Sequence, residues 1–440
     1  MSERETMSDG DYRQYIGSNS AVRRYLLPDT ASVTEEGLLS VGGCDLLELA
    51  ERYGTPLFVY DEQHLRNRCH EALAAFGEGV AYGGKAFLCK EMARLVNEEG
   101  LHLDVATGGE GYVALMAGVP PERMVLHGNN KSDEEIGTAI HAGVGRIVVD
   151  SFAELDRIER VAGELGGTPR VSIRVTPGVE AHTHEYVMTG QVDSKFGFGL
   201  ASGAALEAVR RARESSAMEL AGIHTHIGSQ IFLLHSYVKA VELLAGFVNE
   251  SGVHELCLGG GLGVPYVEGE EAPTITEWAA MLKQACADNG ITARITAEPG
   301  RSISAVAGLT LYRVGTVKEI PMVRTYVAVD GGMSDNPRPV LYASGYEAFL
   351  PRLTLAERPR PVTVVGKHCE SGDIIVREAR VPQELEMGDV LCTPVTGAYG
   401  HSMASNYNKV PRPAVVFVRG GQSRIVVRRE TYEDLVRLDE

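Results

Sequence analysis

The sequence has no long apolar run and no excess of positive charge. No stretch approaches the roughly eighteen apolar residues of a membrane span, and residues 1–14 contain no hydrophobic core of a secretory signal. The formal net charge is −17, whereas nucleic acid or an anionic membrane surface would require a basic face. We therefore expect a cytoplasmic protein that acts on a small molecule, with neither a membrane nor a nucleic acid as partner.

Cysteine is also scarce. The chain has seven cysteines, an odd number, and no two of them show the Cys-x-x-Cys spacing of a zinc site or redox motif. We expect reduced and mostly buried thiols, without a disulfide framework and without a zinc site.

Eight short apolar runs recur between residues 80 and 298, separated by stretches with helical spacing. Short, continuous β-branched runs are typical of buried parallel strands. The runs are Val80–Gly84, Leu101–Ala106, Met124–His127, Arg146–Val149, Val171–Val175, Gly222–His226, Glu255–Leu258 and Arg294–Ala297. Eight strand–helix units in a row predict an α/β fold, the (β/α)8 TIM barrel.

Nearly every predicted strand ends at a residue that is able to do chemistry. These residues are Lys85, Asp104, His127, Asp150, Arg174, His226, the glycine run Gly259–Gly261 and Glu298. TIM barrels build their active sites from loops at the carboxyl ends of the strands, so these residues are expected to share one mouth. The pattern predicts an enzyme.

The chain is too long to be a barrel alone. Its 440 residues exceed the roughly 250 of a bare barrel. Past Arg301, closely spaced strands separated by Gly, Pro and Asp predict an all-β domain of sandwich or barrel type. We expect disorder in residues 1–20, a contribution of residues 21–60 to the β domain through strands at Gly37–Ser40 and Leu57–Val59, the barrel in 61–308 and the C-terminal β domain in 309–440.

Lys85 stands between small residues at the end of the first predicted strand. An apolar pocket there would lower the pKa of its amine and make it a nucleophile for a carbonyl group. A solvated surface lysine is the simpler interpretation of Lys85 alone. However, Gly259–Gly263 and Glu298–Arg301 follow the seventh and eighth strands, where barrel enzymes commonly bind phosphate with bare backbone N–H groups.

A lysine for an aldehyde and two phosphate-binding turns together suggest pyridoxal 5′-phosphate as the cofactor. Glu298 then gains a role, because a carboxylate beside the pyridine nitrogen keeps that nitrogen protonated and the ring able to accept electrons. Without the other features, a pair between Glu298 and Arg301 would be the simpler interpretation.

The ordered motifs resemble those of the diaminopimelate decarboxylases, a family of the alanine-racemase-like, fold-type III pyridoxal enzymes. The resemblance runs from about Gly54 to Pro413 and implies a homodimer with shared active sites. It also implies pyridoxal-phosphate-dependent decarboxylation of meso-2,6-diaminopimelate to L-lysine and CO2, the last step of lysine biosynthesis. The motifs are Tyr82-x-x-Lys85-Ala86, His127-Gly-Asn-Asn-Lys-Ser132, Ser194-Lys-Phe-Gly-Phe198, His226-Ile-Gly-Ser-Gln230, Gly259-Gly-Gly-Leu-Gly263, Glu298-Pro-Gly-Arg301, Cys369-Glu-Ser-Gly-Asp373 and Gly397-Ala-Tyr399.

The resemblance assigns the cofactor mainly to residues of the predicted barrel. It makes Lys85 the Schiff-base lysine, places His226 against the cofactor ring with Asp104 nearby, and puts Glu298 on the pyridine nitrogen. It implies that the cofactor phosphate and its surroundings are bound by Ser229, Gly260, Gly261, Pro299, Gly300, Arg301 and Tyr399. Gly84, Phe87 and Thr107 differ from residues common in the family, and none of these differences removes a reactive group.

The resemblance also implies residues for the substrate, namely Arg301, Arg338, Tyr342, Glu370 and Tyr399. Cys369 is the implied acid near the reacting carbon, and whether Cys369 or Lys85 gives the proton is left open. The distal end of diaminopimelate carries a carboxylate and an amine, which suit the guanidinium of Arg338 and the carboxylate of Glu370. Taken alone, Arg338 near two prolines has the pattern of a solvated loop charge. Ornithine decarboxylases typically have Asp where Glu370 stands, which favours diaminopimelate over ornithine.

Three other functions compete with this interpretation. His182-x-His184 and His224-x-His226 resemble metal ligands, but metal-dependent amidohydrolase barrels usually carry such a pair on the first strand. We interpret His224 as a packed strand histidine. A racemase usually sets arginine at the pyridine nitrogen, where Glu298 stands. A non-catalytic relative tends to lose cofactor contacts or the β domain, and this chain keeps both. A related diamino acid of a secondary pathway stays open as the substrate.

Overall fold

A computed structural model describes residues 22–178 and 194–440. These residues form two compact units. The first, the barrel unit, comprises Arg68–Val264 and Ala272–Ile303, and the second, the β unit, comprises the described residues up to Asn67, Pro265–Glu271 and Ser304–Glu440. The disorder predicted for residues 1–20 concerns a segment outside the described residues. In the described part of the chain, no helix has both the length and the apolar content needed to cross a membrane.

Strands are numbered in chain order. They are β1 (Ser32–Val33), β2 (Leu39–Val41), β3 (Cys44–Asp45), β4 (Leu57–Asp61), β5 (Ala81–Gly83), β6 (His102–Val105), β7 (Met124–Leu126), β8 (Arg146–Val149), β9 (Arg170–Thr176), β10 (Phe198–Gly199), β11 (Glu219–His224), β12 (Glu255–Cys257), β13 (Arg294–Thr296), β14 (Gly308–Ile320), β15 (Arg324–Val329), β16 (Arg360–Val365), β17 (Ile374–Val381), β18 (Val390–Thr393), β19 (Ala414–Arg419) and β20 (Gln422–Val427).

Helices are numbered in the same way. They are α1 (Leu46–Tyr53), α2 (Glu62–Phe76), α3 (Lys90–Glu98), α4 (Gly108–Ala117), α5 (Asp133–Ala142), α6 (Phe152–Leu165), α7 (Ala204–Glu214), α8 (His235–Ser251), α9 (Ile275–Asp288), α10 (Arg301–Ser304), α11 (Arg338–Tyr342) and α12 (Tyr432–Val436).

The barrel unit contains eight strands in the order β5-β6-β7-β8-β9-β11-β12-β13, with the short β10 beside β9. Each neighbouring pair in this order is parallel. Hydrogen bonds from Ala81 N to Ala297 O (3.0 Å) and from Gly83 N to Pro299 O (3.1 Å) link the first strand to the chain just past the last. The predicted eight-stranded barrel is confirmed, and its strand ends meet at one mouth.

Caps set the ends of the helices that follow these strands. Ser132 accepts a hydrogen bond from Glu135 N while the Glu135 side chain bonds back to Ser132 N, a capping box that begins α5. Gly143, at φ 78°, ends that helix in the left-handed conformation. Thr107 caps α4 through its hydroxyl. Thr107 therefore supplies the capping oxygen that a serine would supply.

In the β unit, the N-terminal strand β4 lies inside the C-terminal sheet. It pairs antiparallel with β14 and parallel with β19 in the order β17-β16-β15-β14-β4-β19-β20, and β18 pairs with β14. Strands β1 to β3 form a separate small sheet whose Val33, Leu39 and Val41 join the same hydrophobic core as Val59 and Leu309. The prediction that N-terminal strands join the β domain is confirmed.

All seven cysteines are free, as predicted. Cys69, Cys286 and Cys392 are buried, whereas Cys369 is exposed. The other three are half-buried, so fewer of the cysteines are fully buried than we expected.

Candidate active site

The barrel mouth contains a buried carboxylate, Glu298, held by two histidines from other strands. His127 Nε2 lies 3.0 Å from Glu298 Oε1, and His224 Nε2 lies 3.0 Å from Glu298 Oε2. The two imidazole rings meet edge to face at a centroid distance of 4.8 Å. His127 follows β7, His224 ends β11 and Glu298 follows β13, so the barrel itself assembles this cluster, which we call the histidine clamp.

The histidine clamp decides the charge of Glu298. Burial alone would raise the pKa of this carboxyl, but the charges and hydrogen bonds of His127 and His224 outweigh burial and hold its pKa well below the usual range. Glu298 is therefore an ionised carboxylate at neutral pH. One hydrogen bond to each oxygen leaves further lone pairs to accept from a ligand.

The pKa of Asp104 is shifted upward, in the opposite direction to that of Glu298. Its Oδ1 lies 3.6 Å from His127 Nε2. Burial raises the pKa of Asp104 to about 6, the negative charge of Glu298 adds to this, and the charges of His127 and Lys85 oppose it. Two carboxyls in one mouth thus differ in charge at mildly acidic pH.

His226 presents a neutral ring. Its Nδ1 accepts a hydrogen bond of 3.2 Å from Gly260 N, so the hydrogen of the neutral imidazole is on Nε2. Burial, followed by the charges of Lys85 and Arg174, lowers the pKa of His226 well below its ordinary value. A neutral aromatic ring is suited to lie against a flat ligand.

The two glycine turns pack backbone against backbone. Glu298 N donates to Gly259 O at 2.7 Å. A Cβ at Gly260 would lie 2.3 Å from Glu298 O, and a Cβ at Gly261, where φ is +100°, would lie 2.1 Å from Gly228 O. Only glycine permits this close approach, and the amides of glycine turns are typical donors to a phosphate.

The turn after β13 adds a cation and a hydroxyl to these amides. The guanidinium of Arg301, a buried residue, donates to Ser229 Oγ at 2.9 Å. A guanidinium, a hydroxyl and glycine-turn amides are donors that suit a phosphate. An ionised carboxylate at Glu298 suits a cationic ring nitrogen, and the neutral His226 ring suits a flat heterocycle. The residues present therefore fit pyridoxal phosphate.

Lys85 lies in the 3-10 turn Gly84–Ala86 directly after β5. Ala86 and Phe87 beside it are buried, but the side chain of Lys85 itself is exposed. The expectation of an apolar pocket around this lysine is wrong for this structure. Its position at the mouth, near enough for its charge to act on Asp104 and His226, is as predicted.

The contacts of two side chains with Glu298 were not predicted from the sequence. There His127 is a strand end and the first residue of a family motif, and His224 is one of a metal-like histidine pair that we interpret as a packed strand histidine. His224 is buried as expected, and the structure adds its contact with Glu298. The available signal was the alternation of a strand, which puts His224 and His226 on one face.

Lys131, in the motif that begins at His127, has a structural role. Its ammonium donates to Gly128 O at 2.7 Å and to Val148 O at 2.6 Å and pairs with Glu154, in a buried site. Nearby, Arg174 lies 3.7 Å from Asp150 and 4.3 Å from the ring centre of Phe196. The Lys131–Glu154 pair joins the loop after β7 to helix α6, and the Arg174–Asp150 pair joins β9 to the end of β8.

The histidine clamp also has ligand atoms that could hold a metal ion. One nitrogen each of His127 and His224 and one oxygen of Glu298 lie within 4.8 Å of one another. However, a hydrogen bond to Glu298 requires a protonated ring nitrogen, whereas a metal requires the same nitrogen bare. The 3.0 Å contacts are those of hydrogen bonds. His182 and His184, the other metal-like pair, lie outside the described residues.

In the β unit, Arg338 is held in an aromatic corner. Its Nη1 donates to Tyr346 Oη at 2.6 Å, and its guanidinium carbon lies 4.0 Å from the ring centre of Tyr266. Burial alone would lower the pKa of Arg338, but the two phenols outweigh it and raise the pKa. Arg338 is 4% exposed, so the pattern of a solvated loop charge is wrong for this residue.

The remaining predicted site residues of the β unit differ in exposure. Cys369 and Glu370 are exposed on the loop between β16 and β17, whereas Tyr342 and Tyr399 are half-buried. Tyr399 has a φ of +59°, a left-handed conformation that is uncommon for a bulky residue. The predicted cofactor residues other than Tyr399 all lie in the barrel unit, and the predicted substrate residues other than Arg301 all lie in the β unit.

Comparison with known proteins shows which family the chain belongs to. A family model described as "Pyridoxal-dependent decarboxylase, pyridoxal binding domain" matches residues 62–305. A diaminopimelate decarboxylase of Mycobacterium tuberculosis is 48% identical over 433 residues, which cover 94% of this chain and 97% of that protein. One of Bacillus subtilis is 47% identical, with coverage of 94% and 98%.

A solved structure gives the same result for the fold. The crystal structure of diaminopimelate decarboxylase from M. jannaschii in complex with L-lysine has a TM-score of 0.87 and 34% sequence identity. The similarity covers 94% of this chain and 98% of that one. Both units are therefore included in the match.

Proposed function

The chain belongs to the pyridoxal-dependent decarboxylases and, within them, to the diaminopimelate decarboxylases, and from this membership we propose its reaction and the residues that perform it. The reaction is decarboxylation of meso-2,6-diaminopimelate to L-lysine and CO2, with pyridoxal 5′-phosphate as cofactor, as the last step of lysine biosynthesis. The observation that carries the proposal is the ionised Glu298 in a mouth that also holds an exposed lysine amine and two glycine turns.

Barrel residues would hold the cofactor. Ser229, Gly260, Gly261, Gly300 and Arg301 would bind the phosphate, with Pro299 shaping the last turn, and Tyr399 of the β unit would complete the site. The bound cofactor supplies an aldehyde for an amine and a ring that accepts electrons.

Three barrel residues would act on the reacting groups. Lys85 provides the amine and holds or moves a proton at Nζ. Glu298 would keep a proton on the ring nitrogen, because its own charge is preserved by the histidine clamp. His226 would lie against the ring as a neutral imidazole, with Asp104 close by.

Residues of the β unit would bind the distal end of the substrate. Arg338, oriented by Tyr346 and stacked on Tyr266, offers a prepared guanidinium to the distal carboxylate. Glu370 would accept from the distal ammonium, with Tyr342 and Tyr399 beside it. Arg301 would serve both phosphate and substrate. A carboxylate and an ammonium at one distal end distinguish diaminopimelate from lysine and ornithine.

Cys369 would be the acid beside the reacting carbon. It is exposed, as is Glu370, and it follows Lys85 by 284 residues in the sequence. We propose that the loop of one chain completes the site of a second copy, in a twofold dimer with two shared active sites.

Substitution of Arg338 tests the substrate assignment. Arg338→Ala should raise the KM for diaminopimelate at least tenfold, because its distal carboxylate must be desolvated without a partner. Lysine and ornithine carry no such carboxylate, so weak decarboxylation of either should change little. Arg324→Ala, at an exposed arginine of β15, is the control. An equal loss with all three substrates would mean that Arg338 only supports the fold.

A further inference from the structure

The loop that carries Cys369 is tied to a second segment of the β unit through the amide of Asn408. Asn408 Oδ1 lies 3.3 Å from Cys369 N and 3.2 Å from Nδ1 of His368. A backbone N–H can only donate, so the atom on which both contacts converge is the amide oxygen. One oxygen thus holds two consecutive residues of the loop.

The ring of His368 is fixed from both sides. Since Asn408 Oδ1 accepts, Nδ1 of His368 carries a hydrogen, and its Nε2 lies 2.8 Å from Ser334 Oγ, whose hydroxyl can donate to it. His368 is buried and its ring lies 5.4 Å from that of Tyr407. A buried histidine with both nitrogens bonded has one orientation.

The base of the loop is equally constrained. Asp373 accepts from His368 N at 2.8 Å and from Met333 N at 2.6 Å. A Cβ at Gly332 or at Gly366 would lie 2.7 or 2.2 Å from the Asp373 carboxylate, so both glycines pack directly on it. These contacts fix the position of the loop up to His368, and Cys369 is the first exposed residue after His368.

The backbone of Asn408 is held in an uncommon conformation. Its φ is +52°, and that of Lys409 is +54°, a left-handed region that asparagine tolerates better than most residues. This conformation belongs to the short turn Tyr407–Lys409. The turn thereby holds the amide against Cys369.

We propose that Asn408, with His368 as its partner, is a positioning residue for Cys369. Its amide oxygen sets the place at which the loop presents the thiol, and Asn408 itself need not touch the substrate. The proposal rests on the role of Cys369 proposed above, and the experiment separates the two.

Two substitutions of Asn408 separate its oxygen from its backbone. Asn408→Gly keeps the left-handed turn and removes the oxygen, whereas Asn408→Asp keeps an acceptor at the same place. For the loaded enzyme, Asn408→Gly should lower kcat by about tenfold to a hundredfold, the usual cost of a displaced catalytic group. Asn408→Asp should stay within about threefold of the wild type. If Cys369→Ala is impaired, equal turnover of Asn408→Gly and the wild type would overturn the proposal.

A double variant tests whether Asn408 acts through Cys369. In the Cys369→Ala background, Asn408→Gly should add less than about a twofold loss, because the two residues form one functional unit. Losses that multiply would mean that Asn408 acts independently and would also overturn the proposal.

Alkylation of Cys369 gives a measurement that does not depend on activity. The rate with iodoacetamide, followed by peptide mass analysis, should change at least threefold in Asn408→Gly and stay near the wild-type rate in Asn408→Asp. If Cys369→Ala keeps wild-type turnover, the proposed acid role of Cys369 fails, and the alkylation rate alone decides. An unchanged rate in Asn408→Gly would then overturn the positioning role.

Discussion

The Nε2 atom of His224 lies 3.0 Å from the Oε2 atom of Glu298, and His127 occupies the other oxygen of the same carboxylate at the same distance. A buried carboxyl without partners would take up a proton to avoid desolvation of its charge. Two imidazoles reverse this preference and keep the pKa of Glu298 low. The barrel therefore holds the Glu298 carboxylate in its charged form, which can pair with a protonated ring nitrogen.

Removal of one histidine should make the activity more sensitive to acid. In His224→Ala, the pKa of Glu298 should rise towards its ordinary range, and the carboxylate is ionised only above its pKa. The acid limb of the kcat against pH profile should therefore move to higher pH, while the rate at pH 8 falls less. His254→Ala, at an exposed histidine, is the control. An unshifted acid limb would contradict the role of the clamp.

Removal of the Glu298 charge should lower turnover more than removal of one histidine. Glu298→Gln keeps the size of the side chain, but it cannot hold a proton on the ring nitrogen. Turnover should fall far more than cofactor binding, because only the transition state places extra electrons in the ring. If turnover stays within about threefold, a change of roughly 0.7 kcal/mol, Glu298 is structural.

Asp104→Asn should stabilise the cofactor-free protein at neutral and alkaline pH. The pKa of Asp104 is raised to about 6 in the folded chain, above the roughly 3.9 of an unfolded aspartate. Its contribution to stability is therefore greatest below pH 4 and falls as the pH rises to 6. The gain from Asn should reach at most about 3 kcal/mol above pH 6 and vanish below pH 4. Thermal unfolding at pH 4 and pH 8 measures this gain in stability. An equal change at both pH values would show that the raised pKa of Asp104 is not its cause.

The sequence predicted the barrel because each strand is a local signal. The run Arg146–Val149 ends where its observed strand ends, and the other seven runs end within two residues of theirs. Short β-branched runs followed by helices can be recognised without knowledge of tertiary structure. The positions of the two glycine turns were also predictable from local sequence, because each turn directly follows a predicted strand.

The histidine clamp could not be predicted in this way. His127, His224 and Glu298 belong to three strand ends separated by 97 and 74 residues along the chain, and only barrel closure sets their distances. The burial of Arg338 likewise depends on Tyr266, which lies in a short segment that belongs to the β unit although the barrel surrounds it in sequence. Exposure of Lys85 is a property of the folded mouth that neighbouring residues did not reveal.

Mixing of two inactive variants tests the shared active sites. Lys85→Ala and Cys369→Ala, unfolded and refolded together, should give about half heterodimers, each with one intact site. Activity should recover to roughly a quarter of the wild type, because one of two sites works in half of the dimers. Each variant refolded alone is the control. Heterodimers without recovered activity would place Lys85 and Cys369 in the site of one chain.

The most direct test of the account is release of CO2 by the purified protein with added pyridoxal phosphate. The substrates are meso-diaminopimelate, ornithine, arginine and lysine, each also given to Lys85→Ala and to the control Lys90→Ala. We predict a visible cofactor absorbance, rapid release of CO2 from diaminopimelate and little from the other substrates. Only Lys85→Ala should lose the absorbance of the internal imine and release CO2 more slowly by several orders of magnitude. Faster release from ornithine, no cofactor absorbance in the wild type, or near-normal turnover of Lys85→Ala would contradict the account.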